Sequence, residues 1–275
     1  MSRTFHHLQR RHYQQCGYTL LQRLLTAILI AVVFLCTACG SATAPSPPAI
    51  RIPPHTITPT PTQPISGQQL LANGALTYVA MGASDAVGVG SDDPQTQGYV
   101  YLLAQRLPAG SQLVNLGISD IRLHAALQQE LPTAIAKKPE LITIWLVVND
   151  YIAGITYEHY MKDLNTLLQQ LRQQTHARIV MANLPDLTRL PTIKRQLNAQ
   201  QRVKAIAEIK HWNAGIQDMA ARYAVTIIDL FAEGSLITAH PDYVSQDGFH
   251  PSPAGYVQLA NYFWKAMQTN RTGRY

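Results

Sequence analysis

The sequence predicts a single α/β domain with a doubly wound parallel sheet, and three observations lead to this fold class. Apolar runs in the chain are short and unbroken, which is typical of strands that are covered on both faces. Helical patterns separate these runs, and such alternation is typical of a parallel sheet with helices on both sides. The chain has 275 residues, 47% of them hydrophobic, so it can bury one sizeable core.

The beginning of the chain predicts export from the cytoplasm. A basic segment with four arginines precedes an uncharged apolar run at 24–38. That run is shorter than the roughly 20 residues that a membrane-spanning helix needs, so residues 1–39 are predicted to be a signal peptide. The small residues before Cys39 resemble a bacterial lipobox, which implies lipidation of Cys39, and Cys36 stands where leucine is usual. An ordinary secretory signal and an uncleaved anchor are the alternatives, and all three place the domain outside the cytoplasm.

Residues 40–67 are predicted to be a linker, and residues 68–275 a catalytic domain. Eight prolines fall between Pro45 and Pro64, mixed with threonine, serine and alanine. Such a segment cannot build a core and favours extended polyproline conformations. The linker would therefore hold the domain away from a membrane to which Cys39 anchors it.

Charge and cysteine placement exclude several classes of function. The formal net charge is +6, but four of the 22 basic residues belong to the signal segment, which leaves 18 against 16 acidic residues beyond Cys39. This balance predicts no nucleic-acid partner, because such a partner would require a basic stripe on the folded domain. All three cysteines lie at or before Cys39, so the domain is predicted to hold no disulfide, thiolate metal site or cysteine nucleophile.

Five apolar runs predict the strands, at residues 75–81, 112–116, 141–148, 178–182 and 224–230. Helical patterns are predicted between them at residues 99–107, 122–131, 157–175 and 194–223. A last helix follows Ser252, a natural N-cap, with Pro253 in its first turn and apolar residues at helical spacing as far as Met267. Ligands in such folds lie beyond the carboxyl ends of the strands, so the residues after each run are the candidate functional residues.

Ser84 follows the first run, in the segment Met-Gly-Ala-Ser-Asp, and is the candidate nucleophile. In a turn from strand to helix its hydroxyl would project above the sheet, and Gly82 would permit a tight backbone. The first amides of the next helix would face the same space and could support a developing oxyanion. A serine that only caps the helix is the alternative, and it is favoured when Gly-x-Ser is considered alone. The glycines at this turn do not have the Gly-x-Gly-x-x-Gly spacing of a nucleotide loop.

Two candidate donors to an oxyanion follow the next two runs. Gly117 comes after the second run, and a glycine there can present a bare backbone N–H to a ligand. Asn149 comes after the third run, and its neutral side-chain amide suits an oxyanion in a dry site. The alternatives are an ordinary turn at Gly117 and a loop-forming pair of Asn149 and Asp150.

The candidate base is His250, in the segment Asp-Gly-Phe-His-Pro ahead of the last helix. Asp247, three residues earlier, can bond one ring nitrogen and leave the other free as a base. An isolated Asp-x-x-His is commonly a pair of surface loop residues. Together with Ser84, Gly117 and Asn149, however, the pair completes the set of groups that ester hydrolysis needs.

These four segments resemble the sequence blocks of the SGNH/GDSL hydrolases, which are named for their Ser, Gly, Asn and His. The resemblance covers the chain from about residue 76 to residue 267. It implies a three-layer, flavodoxin-like α/β/α sandwich with about five parallel strands, and it implies no cofactor. Ala83 stands where this family usually has aspartate, and Val147 where it usually has glycine. Neither change removes a reacting atom, so they concern rate and substrate fit more than reaction type.

The resemblance also implies a role for each site residue. Ser84 is the nucleophile, His250 is the general base, and Asp247 orients the imidazole of His250. The oxyanion hole consists of the backbone N–H groups of Ser84 and Gly117 together with the side-chain amide of Asn149.

Other polar residues have simpler interpretations. Residues 183–186 are expected to form a strand-exit turn that could line the pocket, and Asp92 and Asp93 a solvated pair. His124 and His211 are expected to be structural or exposed helix residues. No group of His, Asp and Glu has metal-ligand spacing, so no metal is predicted.

The leading hypothesis is an extracytoplasmic, lipid-anchored serine hydrolase that cleaves small-molecule, polysaccharide or lipid esters through an acyl-enzyme on Ser84. An O-acyltransferase would use the same acyl-enzyme, and a product assay with and without an acceptor separates the two. A surface-tethered binding module without catalysis is a third hypothesis, which labelling of the serine by a fluorophosphonate would contradict.

Overall fold

A computed structural model describes residues 66–269, and its centre is a parallel sheet of five strands. The strands are β1 (Thr77–Gly82), β2 (Gln112–Asn115), β3 (Leu141–Trp145), β4 (Arg178–Ala182) and β5 (Thr226–Ile228). Their order is β2-β1-β3-β4-β5, and all four neighbouring pairs are parallel. The predicted α/β fold with about five parallel strands is confirmed.

Helices connect these strands and cover both faces of the sheet. They are α1 (Gly67–Ala72), α2 (Ser84–Val87), α3 (Pro94–Gln97), α4 (Tyr99–Ala104), α5 (Leu123–Gln129), α6 (Leu131–Ala136), α7 (Val148–Ile152), α8 (Tyr157–Gln174), α9 (Pro191–Lys194), α10 (Ala199–Arg222), α11 (Ser235–Ala239) and α12 (Pro253–Gln268). Short 3₁₀ segments lie at Leu187–Arg189, Ala232–Gly234 and Pro241–Tyr243.

The helices divide into two packed groups. Helices α1 and α4 each contact α12, which also packs on β4 and β5, whereas α8 contacts α5, α6 and α10. Every residue of β3, β4 and β5 is buried between such layers, and the edge strand β2 stays partly exposed. Burial on both faces is why the predicted strands are unbroken apolar runs and not alternating ones.

Several predicted boundaries are wrong, and for three of them the structure shows a local reason. The third run continues to residue 148, but β3 ends at Trp145, because the next residues stay buried while the backbone turns into α7. The helix predicted at 122–131 is two helices, since Pro132 has no N–H to continue α5. The helix predicted from residue 194 begins at Ala199, where Asn198 caps its first turn.

The last helix begins where the sequence places it. Ser252 is the N-cap of α12, its Oγ accepts a hydrogen bond from the Gly255 N–H at 3.2 Å, and Pro253 is the first helical residue. The side chains of Tyr256, Phe263 and Met267 are fully buried against the sheet and α4. This anchoring places the residues just before α12 at a defined position.

The predicted signal peptide, Cys39 and nearly all of the predicted linker lie outside the described residues. Helix α1 begins at Gly67, the last residue of the predicted linker, and Ser66 caps it. Between residues 66 and 269, no helix combines the length and the apolar character needed to cross a membrane. The same range holds no group of three or more His, Cys, Asp or Glu side chains that could bind a metal ion.

Candidate active site

The carboxyl ends of the first three strands carry the predicted site residues. Ser84 follows β1, Gly117 follows β2, and Asn149 lies in the first turn of α7, which follows β3. Strand β1 lies between β2 and β3, and the chain reverses its direction of winding there. In open α/β sheets the ligand site lies at this reversal.

Ser84 occupies a tight turn between β1 and α2. A Cβ on Gly82 would lie 2.7 Å from the Cβ of Ala86, so the end of the strand can approach the helix only without a side chain. Ser84 is the first residue of α2, and the N–H groups of a first turn have no acceptor within the helix. Its side chain is nearly buried, with 6% of the residue exposed. The serine therefore places a hydroxyl and a free amide at the same point.

Ser84, His250 and Asp247 form a continuous hydrogen-bonded chain. His250 Nε2 lies 2.9 Å from Ser84 Oγ, and His250 Nδ1 lies 2.6 Å from Asp247 Oδ2. A carboxylate can only accept a hydrogen bond, so Nδ1 carries the ring proton and Nε2 is free to accept the serine proton. The arrangement has the geometry of a nucleophile, a base and an orienting acid.

Asp247 is held in its ionised form. Its Oδ1 accepts hydrogen bonds from Ser245 Oγ at 2.7 Å, the Phe249 N–H at 2.7 Å and the His250 N–H at 2.9 Å. Partial burial acts to raise the pKa of Asp247, but the bonds from the His250 ring, the Ser245 hydroxyl and the two amides outweigh it and hold the pKa well below its usual range. Asp247 therefore stays negative and keeps the Nδ1 proton of His250 in place.

The loop that carries His250 docks on the segment after α2. The Ser245 N–H donates to the His250 carbonyl at 2.8 Å, and Val244 and Pro251 form an antiparallel bridge. Gly90 has φ 97°, and a Cβ there would lie only 2.5 Å from the Pro251 carbonyl oxygen. A side chain at position 90 would therefore push the loop, and His250 with it, away from Ser84.

Asn149 and Asp150 are tied to the segment before α5. Asn149 Nδ2 donates to the Ile121 carbonyl at 2.9 Å, and Asp150 Oδ2 accepts the Leu123 N–H at 2.9 Å. The primary amide of Asn149 has two hydrogens, so one remains for a ligand. Burial raises the pKa of Asp150 to about 6. Hydrogen bonds thus fix Asn149 and Asp150 at the start of α7, and the two residues are not the loop-forming pair that was the alternative.

Gly117 packs closely on α2, but its N–H already has an acceptor. A Cβ on Gly117 would lie 2.8 Å from the Cβ of Ala86, so only glycine fits. The Gly117 N–H donates to Asn115 Oδ1 at 3.0 Å, while Asn115 Nδ2 donates to the Ala86 carbonyl at 2.7 Å. The expectation of a bare N–H at Gly117 is therefore wrong for this structure, because the side chain two residues earlier folds back on it.

An open pocket of about 790 Å³, including solvent at its mouth, lies beside His250. Its lining is mostly apolar and includes Trp145, Leu190, Ile237 and Phe249, with Asp85 among the few polar groups. Sequence reasoning missed this wall, because residues 230–244 show neither a strand pattern nor a long helix. The adjacent apolar residues Leu236 and Ile237 are the feature of that segment from which a pocket wall could have been predicted.

The remaining candidates have structural roles. Asn183 bonds Asp229 Oδ1 at 2.9 Å and the Leu230 N–H at 2.8 Å, which joins the ends of β4 and β5. The turn at 183–186 also supplies Pro185 to the pocket wall, and Asp93 caps α3. His124 and His211 are exposed helix residues, as expected.

Glu130 is a buried carboxyl beneath the turn that leads from β1 to Ser84. Its Oε2 accepts the Gly82 N–H at 3.2 Å, and burial raises its pKa from 4.5 to about 8. The folded protein thus holds a proton where the unfolded chain has lost it. The free energy of unfolding should therefore fall as pH rises between about 4.5 and 8 because of this group, by at most about 1.4 kcal/mol per pH unit.

Glu130→Gln, which resembles the protonated carboxyl in shape, should remove this loss. Urea unfolding at pH 5 and pH 8 measures it, with Glu158→Gln on the exposed face of α8 as the matched control. Asp85 and Asp150 titrate in part of the same range, so the informative quantity is the difference between variant and wild type. Equal losses in wild type and Glu130→Gln would contradict the assignment.

Comparisons with known proteins agree with this fold and identify a family. The sequence model of the GDSL-like Lipase/Acylhydrolase family matches residues 80–258, well over half of the chain. No curated protein matches. Among solved structures, TesA shares 24% identity with a TM-score of 0.55, covering 70% of this chain and 98% of its own. An acetylxylan esterase from Geobacillus stearothermophilus shares 18% with a TM-score of 0.55, covering 72% and 96%. A lipase from a goat rumen metagenome shares 22% with a TM-score of 0.56, covering 71% and 99%. At these identities the structural likeness shows the fold alone.

Proposed function

Because the chain belongs to the GDSL-like lipase/acylhydrolase family and is an ester-hydrolysing enzyme, we propose that it cleaves carboxylic esters through an acyl-enzyme on Ser84. The observation that carries this proposal is the hydrogen-bonded chain of Ser84, His250 and Asp247. Each bond of this chain has a length suited to proton transfer or to orientation of the base. The substrate is a small-molecule, polysaccharide or lipid ester, and no nucleic acid takes part.

The reaction proceeds in two steps that share one base. Ser84 Oγ attacks the ester carbonyl carbon while His250 Nε2 takes the hydroxyl proton, and Asp247 stabilises the imidazolium. When the tetrahedral intermediate collapses, the bond to the alcohol breaks and His250 returns the proton to that alcohol. Water then attacks the acyl-enzyme, with His250 again as the base, and releases the acid.

The negative oxygen of each tetrahedral intermediate is stabilised by nearby N–H groups. The Ser84 N–H at the start of α2 and the free amide hydrogen of Asn149 are the two donors that need no rearrangement. Gly117 joins them when Asn115 Oδ1 shares or releases the Gly117 hydrogen.

Labelling with a fluorophosphonate tests the nucleophile, since the reagent reacts only with an activated serine. Mass spectrometry should find one adduct on the peptide that contains Ser84, and none on the Ser84→Ala variant. An adduct elsewhere, or an unlabelled wild type that is folded by circular dichroism, would overturn the proposal.

Replacement of Asn149 by alanine should lower kcat for a short-chain aryl ester by about 10²- to 10³-fold. The amide is needed when negative charge develops, so KM should change much less than kcat. Because Asn149 also bonds the Ile121 carbonyl, thermal unfolding of the variant must accompany the kinetics. Asn165→Ala, in α8 and away from the site, is the matched control. A kcat within threefold of wild type would remove Asn149 from the mechanism.

We also propose that the enzyme works outside the cytoplasm on a lipid anchor at Cys39. The basic start, the short apolar run and the proline-rich linker support this location. Expression of the full chain in a bacterium, followed by fractionation, tests it. The wild type should be in the membrane fraction and Cys39→Ser should not carry lipid. A cytoplasmic wild type would contradict the location, and a lipid-free exported wild type would contradict the anchor.

A further inference from the structure

A carboxylate that the proposed reaction does not use faces the pocket. Asp85 directly follows Ser84 in α2, and its side chain lines the pocket together with His250. No other residue in the described part of the chain donates a hydrogen bond to this carboxylate. Glu233 and Tyr262 also line the pocket, but they bond each other at 2.9 Å. Apart from its own backbone N–H, Asp85 thus has no donor, and it lies beside His250 in the wall of a mostly apolar pocket.

The position is an expensive one for a carboxylate. A charged group with few hydrogen bonds in apolar surroundings is destabilising, and an aliphatic side chain would fill the same space without that cost. Burial raises the pKa of Asp85 to about 6, against the opposing effect of His250. The group is therefore largely ionised at neutral pH, and the His250 ring and its own backbone N–H are what favour the charged form in the described part of the chain.

Asp85 has no place in the orientation of the base. Asp247 already binds His250 Nδ1 and Ser84 already binds Nε2, so both ring nitrogens are taken. Its own helix is a single turn that Gly88 ends in the left-handed conformation, and the favourable effect of an acidic residue in such a first turn is small. What remains is a contact with whatever enters the pocket.

We propose that Asp85 selects esters that carry a hydrogen-bond donor, a hydroxyl or an ammonium group, within a few bonds of the scissile carbonyl. This inference rests on the proposed esterase function. Neighbouring Cα atoms are about 3.8 Å apart, so the carboxylate of the residue after the nucleophile reaches only the part of a substrate near the carbonyl. A donor there satisfies the carboxylate, whereas an alkyl chain leaves it dry and unpaired. Sites built to bond a substrate hydroxyl discriminate strongly against analogues that lack it.

Three pairs of esters test the selection, each pair differing by one group of similar size. Ethyl butanoate is compared with ethyl 3-hydroxypropanoate and with ethyl 3-aminopropanoate, which place the donor on the acyl side. Propyl butanoate is compared with 2-hydroxyethyl butanoate, which places it on the alcohol side. In at least one pair, the wild type should favour the donor-bearing ester by about tenfold or more in kcat/KM.

Two variants and a control make the result specific. Asp85→Leu should abolish or reverse the preference for the donor-bearing ester. Asp85→Asn keeps an acceptor but carries no charge. It should therefore still prefer the hydroxyl ester over its methyl analogue, but it should lose the preference for the ammonium ester. Asp92→Leu, an exposed aspartate outside the pocket, should leave every ratio unchanged. Thermal unfolding checks that each variant is folded. If Asp85→Leu does not fold, the result for Asp85→Asn decides whether Asp85 selects the substrate.

Several outcomes would overturn the inference. Wild-type ratios within twofold in all three pairs would do so, as would a preference that survives Asp85→Leu. An equal change in both members of each pair would show that Asp85 acts only through His250, which also contradicts selection. If the wild type hydrolyses none of the esters and takes up no fluorophosphonate, the proposed function itself fails and the selection fails with it.

Discussion

Ser84→Ala is expected to lower kcat for hydrolysis of 4-nitrophenyl acetate by about 10⁴- to 10⁶-fold. The variant loses the atom that forms the acyl-enzyme, and no other hydroxyl is bonded to His250 Nε2 in the described part of the chain. Residual hydrolysis would come from the oxyanion donors and from binding alone. Steady-state kinetics with purified protein measure the change.

The fold should survive this substitution. Among residues 66–269 the Ser84 side chain bonds only the His250 ring, and alanine is a good residue for the first turn of a helix. The thermal midpoint should therefore stay close to that of wild type. Ser235→Ala, at the exposed start of α11, is the matched control and should keep full activity. Activity in Ser84→Ala above a hundredth of the wild-type value would end the acyl-enzyme mechanism.

Asp247→Asn is expected to lower kcat by about 10⁴-fold with little change in KM. The amide nitrogen of asparagine would donate a hydrogen bond to His250 Nδ1, which then carries no proton. The ring proton moves to Nε2, and that nitrogen points a hydrogen at Ser84 Oγ where it must accept one. The base would be present at the right distance but in the wrong tautomer.

The same variant should also change how the stability of the folded protein depends on pH, in a direction that follows from the pKa of Asp247. Because the pKa of Asp247 is held below its ordinary value of 3.8, its bonds stabilise the folded state above that pH and lose their effect as pH falls towards the folded-state pKa. The difference in urea midpoint between wild type and Asp247→Asn should therefore shrink below about pH 3.8. Asp242→Asn, an exposed aspartate nearby, is the control for both measurements. A loss of kcat smaller than tenfold would remove Asp247 from the mechanism.

Much of the fold could be predicted because burial in a parallel sheet produces short apolar runs that can be recognised in the sequence. A strand covered on both faces is apolar at nearly every position, and the run at 178–182, with Arg178 as its one charged residue, has the same bounds as β4. After Trp145 the backbone turns into a helix while the side chains stay buried. There the apolar run predicts the end of the strand wrongly, since burial alone does not distinguish a strand from a helix. The cap at Ser252 was readable because capping depends on residues within one turn.

The same distinction between local sequence pattern and tertiary packing applies to the candidate site. The sequence by itself determined which groups are candidates, because Ser84, Asn149, Asp247 and His250 occur together in the segments that resemble the SGNH/GDSL blocks, whereas each segment alone is ambiguous. Only the tertiary structure decided that Ser84 and His250 are 2.9 Å apart and that Glu130 lies under the nucleophile turn.

The tertiary structure also decided that Asn115 occupies the Gly117 amide and that Asp85 faces an apolar pocket. These facts depend on how distant segments pack and on which direction one side chain takes. Hydrophobic patterning constrains which face of an element is buried. It does not specify which polar atoms meet at the ends of the strands, and at those ends the chemistry and the selection of a substrate are determined.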